Sequence, residues 1–408
     1  MAKILNNIEL FAGCGGLIDG FEQTGKFRTI AAVEWQRQQV NTLINYLENK
    51  YRYEDAKERV LCFDIQRTDE LIGGWKDERF GSNKGLDFLV NNEVIDIISG
   101  GPPCQAYSLA GRIRDSNNMR RDYRNFLFES YVSIVAHYRP KLIVFENVEG
   151  ILSAIPTGEK ITDLIAKEFD EIGYEIVSDL RGLALLDLSE FAVPQNRKRV
   201  IIIGVRRDNF AIDYQKELIY FYKKLNAKKS FYKLSVREAI GDLPPIYPLN
   251  EQKARMSHNN SSSINGHFSR FHNLRDQEIF YKLALDIEQG EFRYLKADSL
   301  IDLYFKKTGK KTNVHKYYVL RWDEQSNTIP AHLKKDGLRH IHPDPQQKRS
   351  ITVREAARLQ TFPDDFLFTE SMVASYEMIG NAVPPKFAKI LADTVYDFYS
   401  YLTEKENH

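Results

Sequence analysis

The sequence predicts an α/β fold, a mostly parallel sheet into which a smaller domain of mixed and less regular character is inserted. Three observations predict it. Residues 1–205 alternate short apolar runs with amphipathic stretches of helix length, residues 206–320 lose that alternation, and helical patterning returns beyond Ser350. The expected spans are therefore 1–205, 206–320 and 321–408.

Strands are expected at 8–11, 29–33, 94–99, 142–145 and 200–205, where apolar and β-branched residues run together. Between them, 36–48, 125–137 and 160–172 have helix length and apolar spacing. The middle segment mixes aromatics with lysine, as in Phe221-Tyr222-Lys223-Lys224, and carries a proline-rich stretch at 243–248 and a polar run at 259–265. Helices return at 353–361 and 385–401, separated by the turn Gly380-Asn381-Ala382-Val383-Pro384.

A chain of 408 residues with 43% apolar residues, 24 Phe and 22 Tyr can bury a large core, which excludes a mostly disordered protein. Its three cysteines, Cys14, Cys62 and Cys104, are widely spaced and form no C-x-x-C, arguing against a disulfide framework or a zinc knuckle and for a reducing, cytoplasmic setting. No 18 apolar residues occur together, so no membrane partner is expected. The net charge is only +1, yet it is unevenly spread: residues 206–348 hold 26 basic and 17 acidic side chains, and the remainder is acidic. Such a segment is either a solvated lysine-rich surface or a face for a polyanion, and charge alone does not decide.

Four local patterns carry chemistry. Phe11-Ala12-Gly13-Cys14-Gly15-Gly16-Leu17 leads a strand through a glycine turn into a helix, letting backbone N–H groups approach a ligand, although a plain tight turn has the same residues. Glu34, at the end of the next strand, can accept from both ribose hydroxyls of a nucleoside. Asp64 can accept from an adenine amino group or simply cap a helix. Cys104 follows Gly100-Gly101-Pro102-Pro103 at a strand's carboxyl end, where open α/β sheets place their ligand crevice, so reactivity is favoured over packing there; Cys14 and Cys62 suit burial better. A thiol with a pKa near 8.5 needs help to act as a nucleophile, and arginines such as Arg112 follow it. Glu146 stands at another strand end, able to hold or protonate a ring nitrogen. Gln195, Arg197 and Arg199 fall on one face by strand alternation. Seven histidines between His258 and His342 lack cysteine partners and regular spacing, so no metal site is expected.

In this order the motifs Phe11 to Gly16, Pro102-Pro103-Cys104-Gln105, Glu146-Asn147-Val148, Gln195-x-Arg197-x-Arg199, the stretch Thr352 to Pro363 and Gly380 to Pro385 closely resemble the DNA cytosine-5 methyltransferases, covering 8–205 and roughly 317–392. The resemblance implies a Rossmann-like sheet that binds S-adenosyl-L-methionine. Phe11, Gly13, Gly15, Gly16 and Leu17 would surround its amino acid and ribose, with Glu34 on the ribose, Trp35 and Ile65 against adenine and Asp64 on the amino group. Pro103, Leu127, Asn381 and Ala382 would complete that pocket, the C-terminal helix returning to the first domain. Cys104 would attack carbon 6 of a flipped-out cytosine, Glu146 would act at ring nitrogen 3 and Arg199 at the base carbonyl, with Ser108, Arg112 and Arg197 on the DNA backbone.

The basic middle segment would be the variable target-recognition domain. Double-stranded DNA is then the expected partner of a monomer in a bacterial cytoplasm, with a cognate restriction enzyme acting separately. A tRNA cytosine-5 methyltransferase and a catalytically silent DNA-binding protein on the same scaffold are the rival readings; the long variable segment favours DNA, and the intact Cys104, Glu146 and Arg199 favour catalysis.

Overall fold

The computed structural model describes residues 3–103, 127–155, 158, 160–208, 211–312, 315 and 317–406. Its chain forms two compact units, the first from 1–191, 198–231 and 383–408, the second from 192–197 and 232–382.

The first unit is built on an eight-stranded sheet. Its strands are β1 (Leu5–Leu10), β2 (Phe27–Glu34), β3 (Val60–Cys62), β4 (Ile97–Gly100), β5 (Leu142–Val148), β6 (Tyr174–Ile176), β7 (Leu185–Asp187) and β8 (Lys198–Arg206). The order is β3-β2-β1-β4-β5-β8-β6, with β7 also paired to β8. Pairs from β3 through β5 are parallel, and β8 runs antiparallel to β5, β6 and β7. All five expected strands are present in this sheet. The central strands read as apolar runs because both faces are covered: Ile97, Ile98, Ile143, Val144, Ile201, Ile202 and Ile203 are all fully buried.

Chain order turns around at β1. The first two crossovers lead to β2 and β3, and the chain then passes to β4 on the other side of β1. The carboxyl ends of β1 and β4 therefore flank a topological switch point, where open sheets hold ligands. Leu10 and Gly100 are register partners there, and a Cβ on Gly100 would come within 2.4 Å of the Leu10 carbonyl oxygen, so glycine is what lets the strands end side by side.

Helices α1 (Gly16–Glu22), α2 (Arg37–Lys50), α3 (Leu127–Tyr138), α4 (Ile161–Glu171) and α5 (Tyr214–Asn226) belong to this unit. Each buries one stripe, as α2 does with Val40, Leu43, Tyr46 and Leu47. The last helix, α10 (Pro385–Glu406), lies against α1, and a Cβ on Gly20 would sit 2.3 Å from that of Ala388, so this crossing is closer than side chains permit. It is one helix over 385–406, where the sequence suggests 385–401.

The second unit contains α6 (Leu274–Glu288), α7 (Ala297–Thr308), α8 (Val353–Leu359), α9 (Met372–Asn381) and a hairpin of β9 (Pro248–Lys253) with β10 (Met256–His258). Ile279, Phe280 and Leu283 of α6 pack with Leu300 and Leu303 of α7 and with Tyr317, Val319 and Ile341. Thr352 and Glu355 form a reciprocal capping box at the start of α8. The limits of the two units differ from the expected spans in three places, the shortest being 192–197, which belongs to the second unit. Residues 206–231 stay with the first unit because Phe221 of α5 packs on Phe398 of α10 and the Tyr222 hydroxyl donates to the Ile201 carbonyl of β8. Residues 321–382 belong to the second unit, where Val319 and Ile341 join the helix pair and Arg349 bonds Glu355. Among the described residues, no helix is long and apolar enough to cross a membrane.

Candidate active site

The glycine turn after β1 is held open by its own backbone. Phe11, Gly13 and Gly15 have φ of 58°, 57° and 92°, all in the left-handed region, and a Cβ on Gly15 would lie 2.5 Å from Leu43. The Ala12 N–H donates to the Val33 carbonyl at 3.0 Å, fastening the turn to β2. Gly15 then serves as the N-cap of α1, and Gly16 and Leu17 are buried in its first turn.

Glu34 ends β2 directly behind this turn, and it is 7% exposed. Its Oε2 accepts from the Gly13 N–H at 3.0 Å, and its Oε1 accepts from the N–H groups of Trp35 and Gln36 at 2.9 and 2.8 Å. Burial pushes its pKa up, and those N–H groups pull against the shift. Beside it, the Trp35 ring is 44% exposed and Ile65 is buried. Asp64 is half-buried and accepts from the Gln66 N–H at 3.1 Å. Pro103 is half-buried and Leu127 is buried at the start of α3. The geometry thus brings the glycine turn, Glu34 and Trp35 together at the ends of β1 and β2.

At the ends of β4 and β5 a second group forms. Glu146 Oε1 and Arg199 Nε meet at 2.8 Å, each side chain 13% exposed, because β5 and β8 pair antiparallel and set these residues at the same edge of the ladder. Burial lowers the pKa of Arg199, and Glu146 opposes that shift. A Cβ on Gly101 would lie 2.6 Å from Glu146 Oε2, so a larger residue where the chain leaves β4 would push this carboxylate aside. Asn147, 2% exposed, donates from Nδ2 to the Pro102 carbonyl at 3.3 Å and ties the Pro-Pro turn to β5. The sequence reading gives Asn147 no role. Its signal is a short polar side chain inside a strand that is otherwise apolar, where asparagine is disfavoured unless it bonds locally.

Cys104, Ser108 and Arg112 lie outside the described residues. Cys14 and Cys62 are free and buried, and burial pushes both thiols up in pKa.

The expectation for Arg197 is corrected. The side chain is 1% exposed, and its guanidinium donates to the backbone carbonyls of Ile329 at 3.1 Å and of Gly380 and Ala382 at 3.0 Å each. A group so enclosed has no face for a DNA phosphate. Nor does one strand present Gln195, Arg197 and Arg199, since β8 begins only at Lys198. Asn381 is exposed at the last position of α9, and Ala382 follows as its half-buried C-cap.

The chain is similar to known proteins in sequence and in fold. The family model of the C-5 cytosine-specific DNA methylases matches residues 5–397. The type II methyltransferase M.Bpa9945I of Bacillus paralicheniformis is 34% identical, covering 96% of this chain and 98% of its own. The type II methyltransferase M.AgeI of Thalassovita gelatinovora is 28% identical, with 96% and 99% covered. A crystal structure of a DNA modification methyltransferase encoded within an E. coli prophage superposes with a TM-score of 0.65 at 23% identity, covering 97% of this chain and 99% of that one, and so shares the fold. The chain therefore belongs to the C-5 cytosine-specific DNA methylase family and is an enzyme that methylates DNA.

Proposed function

We propose that the enzyme transfers a methyl group from S-adenosyl-L-methionine to carbon 5 of one cytosine within a specific double-stranded DNA sequence, acting as a monomer in a bacterial cytoplasm beside a separate restriction enzyme. The observation that carries this reading is the Glu146–Arg199 pair standing against Gly101, three residues before Cys104. A carboxyl group and a guanidinium fixed side by side match ring nitrogen 3 and the carbonyl of one pyrimidine edge.

The residues present fit the cofactor. An open glycine turn, a buried carboxylate ending β2 and a half-exposed indole form a cradle for an adenosine with a charged amino-acid tail. When bound, the cofactor supplies an electrophilic methyl carbon on a sulfonium sulfur. Phe11, Gly13, Gly15, Gly16 and Leu17 would hold its tail and ribose, Glu34 the ribose hydroxyls, Trp35, Ile65 and Asp64 the adenine, with Pro103 and Leu127 closing the pocket.

Cytosine carbon 5 is a weak nucleophile until carbon 6 is attacked. Cys104 Sγ forms a bond to carbon 6, the ring electrons move toward carbon 5, and Glu146 holds the proton gained at nitrogen 3 while Arg199 stabilises the carbonyl oxygen. After methylation the carbon 5 proton passes to solvent water, its bonding electrons re-form the carbon 5–carbon 6 double bond and expel the Cys104 thiolate, and nitrogen 3 returns its proton to Glu146. The base must leave the stack first, at a cost of a few kcal/mol. Contacts to DNA offset it, among them Ser108 and Arg112. In the second unit the β9–β10 hairpin exposes Lys253 and Arg255 beside Tyr247 and Met256, while Phe268 and Phe271 stand exposed on the segment bonded to it through Gln252 and the His272 carbonyl. This basic and aromatic surface is the proposed target-reading face.

Cys104→Ala is expected to abolish transfer while the cofactor dissociation constant stays within about twofold. Trapping on duplex DNA containing 5-fluorocytosine, with cofactor present, should join Cys104 to the base; a variant that still methylates, or an adduct elsewhere, overturns the mechanism.

A further inference from the structure

We infer that Trp75 and Asp77 are positioning residues for the adenine of the cofactor, acting through Phe63 and Arg67, which flank Asp64 and Ile65 in the chain. The inference rests on the reading that Asp64 and Ile65 meet the adenine, and every residue it uses belongs to the first unit. Both flanking residues are fastened to one hairpin, of Trp75–Asp77 with Gly81–Asn83. Phe63 is 1% exposed, and its ring stacks on that of Trp75 with centroids 4.0 Å apart and planes at 26°. Phe80, in the hairpin's turn, meets the same ring edge-on at 5.1 Å. Arg67 donates through Nη1 to Asp77 Oδ2 and holds its guanidinium 4.7 Å from the centre of the Phe63 ring.

Between these anchors the chain turns tightly. The Arg67 N–H donates to the Asp64 carbonyl at 3.1 Å, the Gln66 N–H to Asp64 Oδ1 at 3.1 Å, and the Thr68 hydroxyl to the Ile65 carbonyl at 3.0 Å. The Asp64 carboxylate is thus tied to the turn, and moving the turn moves the acceptor it offers. At its start the turn also hangs from β2, since the Phe63 N–H donates to the Glu34 carbonyl at 3.1 Å. The hairpin has little slack of its own. Asp77 Oδ1 accepts from the Phe80 N–H at 2.6 Å, and at the hairpin's base a Cβ on Gly85 would lie 2.4 Å from the Gly74 nitrogen. Two strands this short are marginally stable alone, so packing on Phe63 and Arg67 orders the hairpin and the 63–67 turn together. A carboxylate at a fixed place accepts from a purine amino group and rejects a carbonyl oxygen there, which would face it without a proton between them. Precise placement of Asp64 is therefore what tells adenine from an oxo-purine.

The test is binding of S-adenosyl-L-homocysteine and of its deaminated counterpart, S-inosyl-L-homocysteine, by the full chain without DNA, measured by calorimetry beside the melting temperature. The ratio of the two affinities reports where Asp64 stands and is independent of how much of the protein is folded. The unaltered chain should prefer the adenine probe by about tenfold or more. Trp75→Leu should cut that preference to about threefold or less, whereas Trp75→Phe, which keeps a ring for Phe63, should retain most of it. Asp77→Asn should lower it about twofold. Asp64→Ala separates the two levels. If the unaltered chain shows no preference, or Asp64→Ala leaves it unchanged, the pocket reading falls and this inference with it. If Asp64→Ala removes the preference but Trp75→Leu and Asp77→Asn keep it and lower only the melting temperature, the hairpin merely supports the fold and the inference alone is overturned. Should Trp75→Leu fail to fold, Asp77→Asn, which removes one charge from the hairpin, decides between the same outcomes.

Discussion

Arg199 and Glu146 in the first unit meet through one nitrogen and one oxygen at 2.8 Å, each side chain 13% exposed. Arg349 and Glu355 in the second meet through two parallel contacts of 2.7 Å each, and both are 1% exposed. The second pair is also closed at its margins: Arg349 Nε donates to Gln347 Oε1 at 3.1 Å, and Glu355 Oε2 accepts from the Thr352 N–H at 2.7 Å. Burial alone would raise the Glu355 pKa, but Arg349, with His342 beside it, holds the carboxylate well below its usual range. Identical functional groups therefore do different work according to spare hydrogen-bonding capacity. A saturated pair can only hold a fold, whereas the first pair, in which Arg199 donates one further N–H to the Lys198 carbonyl, keeps spare hydrogen-bonding capacity among the described residues and can receive a substrate.

Substitution should separate the two pairs sharply. Glu146→Gln keeps size and one acceptor but loses the acid, so the transfer rate should fall roughly 10²–10⁴-fold while the melting temperature moves by no more than about 2 °C. Arg349→Met leaves Glu355 charged, buried and unpaired, which should cost about 3–5 kcal/mol of stability, read by denaturant unfolding. Its methylation should fall only in proportion to the unfolded fraction. If Glu146→Gln unfolded the protein, or Arg349→Met removed activity from a fully folded one, the contrast would be wrong.

How much of this was readable beforehand follows from how local each signal is. The glycine turn, Glu34, and Glu146 each announce themselves within a strand and the residues after it, and the structure has each at a strand end. Arg197 was misread because its carbonyl partners lie 132 to 185 residues further along, and no local pattern carries them. Alternation puts it on one face with Gln195 and Arg199 only by extending a strand that starts one residue later. Likewise the lysine and aromatic mixture of α5 looked unlike the sheet region, but its aromatic face is what binds it to the first unit. The Arg349–Glu355 pair was illegible in the same way, since charge in sequence does not reveal burial. Asn147 was half legible, its residue type noted and its partner Pro102 unknown until the strands were paired.

The second unit should also be the more acid-sensitive region. Burial lowers the pKa of His258 to about 4 and of His340 and His342 to about 3. An unfolded histidine takes up its proton near pH 6.5, so below that pH the unfolded chain binds protons that the folded one refuses. Stability is therefore fully present above about pH 6.5 and declines as pH falls toward 4, by about 1–2 kcal/mol per histidine at pH 5. Thermal melts from pH 7.5 to 5 should show the decline, and His340→Gln should flatten it. A melting temperature constant over that range would show that these rings are protonated in the folded state.

The smallest expected effect concerns which basic side chains meet DNA phosphates. In the first unit, Lys229 is 2.7 Å from Glu190 and Lys228 is 3.5 Å from Asp397, so their charge is already partly answered within the protein. Exposed pairs of this kind contribute only about 0–1 kcal/mol each, so replacing them should scarcely alter the fold. Lys253 and Arg255 on the second unit's hairpin are exposed, and no ion pair to either is seen among the described residues. Each phosphate contact adds about one to the slope of log affinity against log salt. Lys253→Gln with Arg255→Gln should therefore flatten that slope by about two, and Lys228→Gln with Lys229→Gln should leave it unchanged. The opposite result would move the phosphate contacts to the turn after α5 and make the hairpin's charges ordinary surface. A flattening by both would mean that the ion pairs of Lys228 and Lys229 open on DNA, because a lysine released from a carboxylate counts in the slope as one that was never paired.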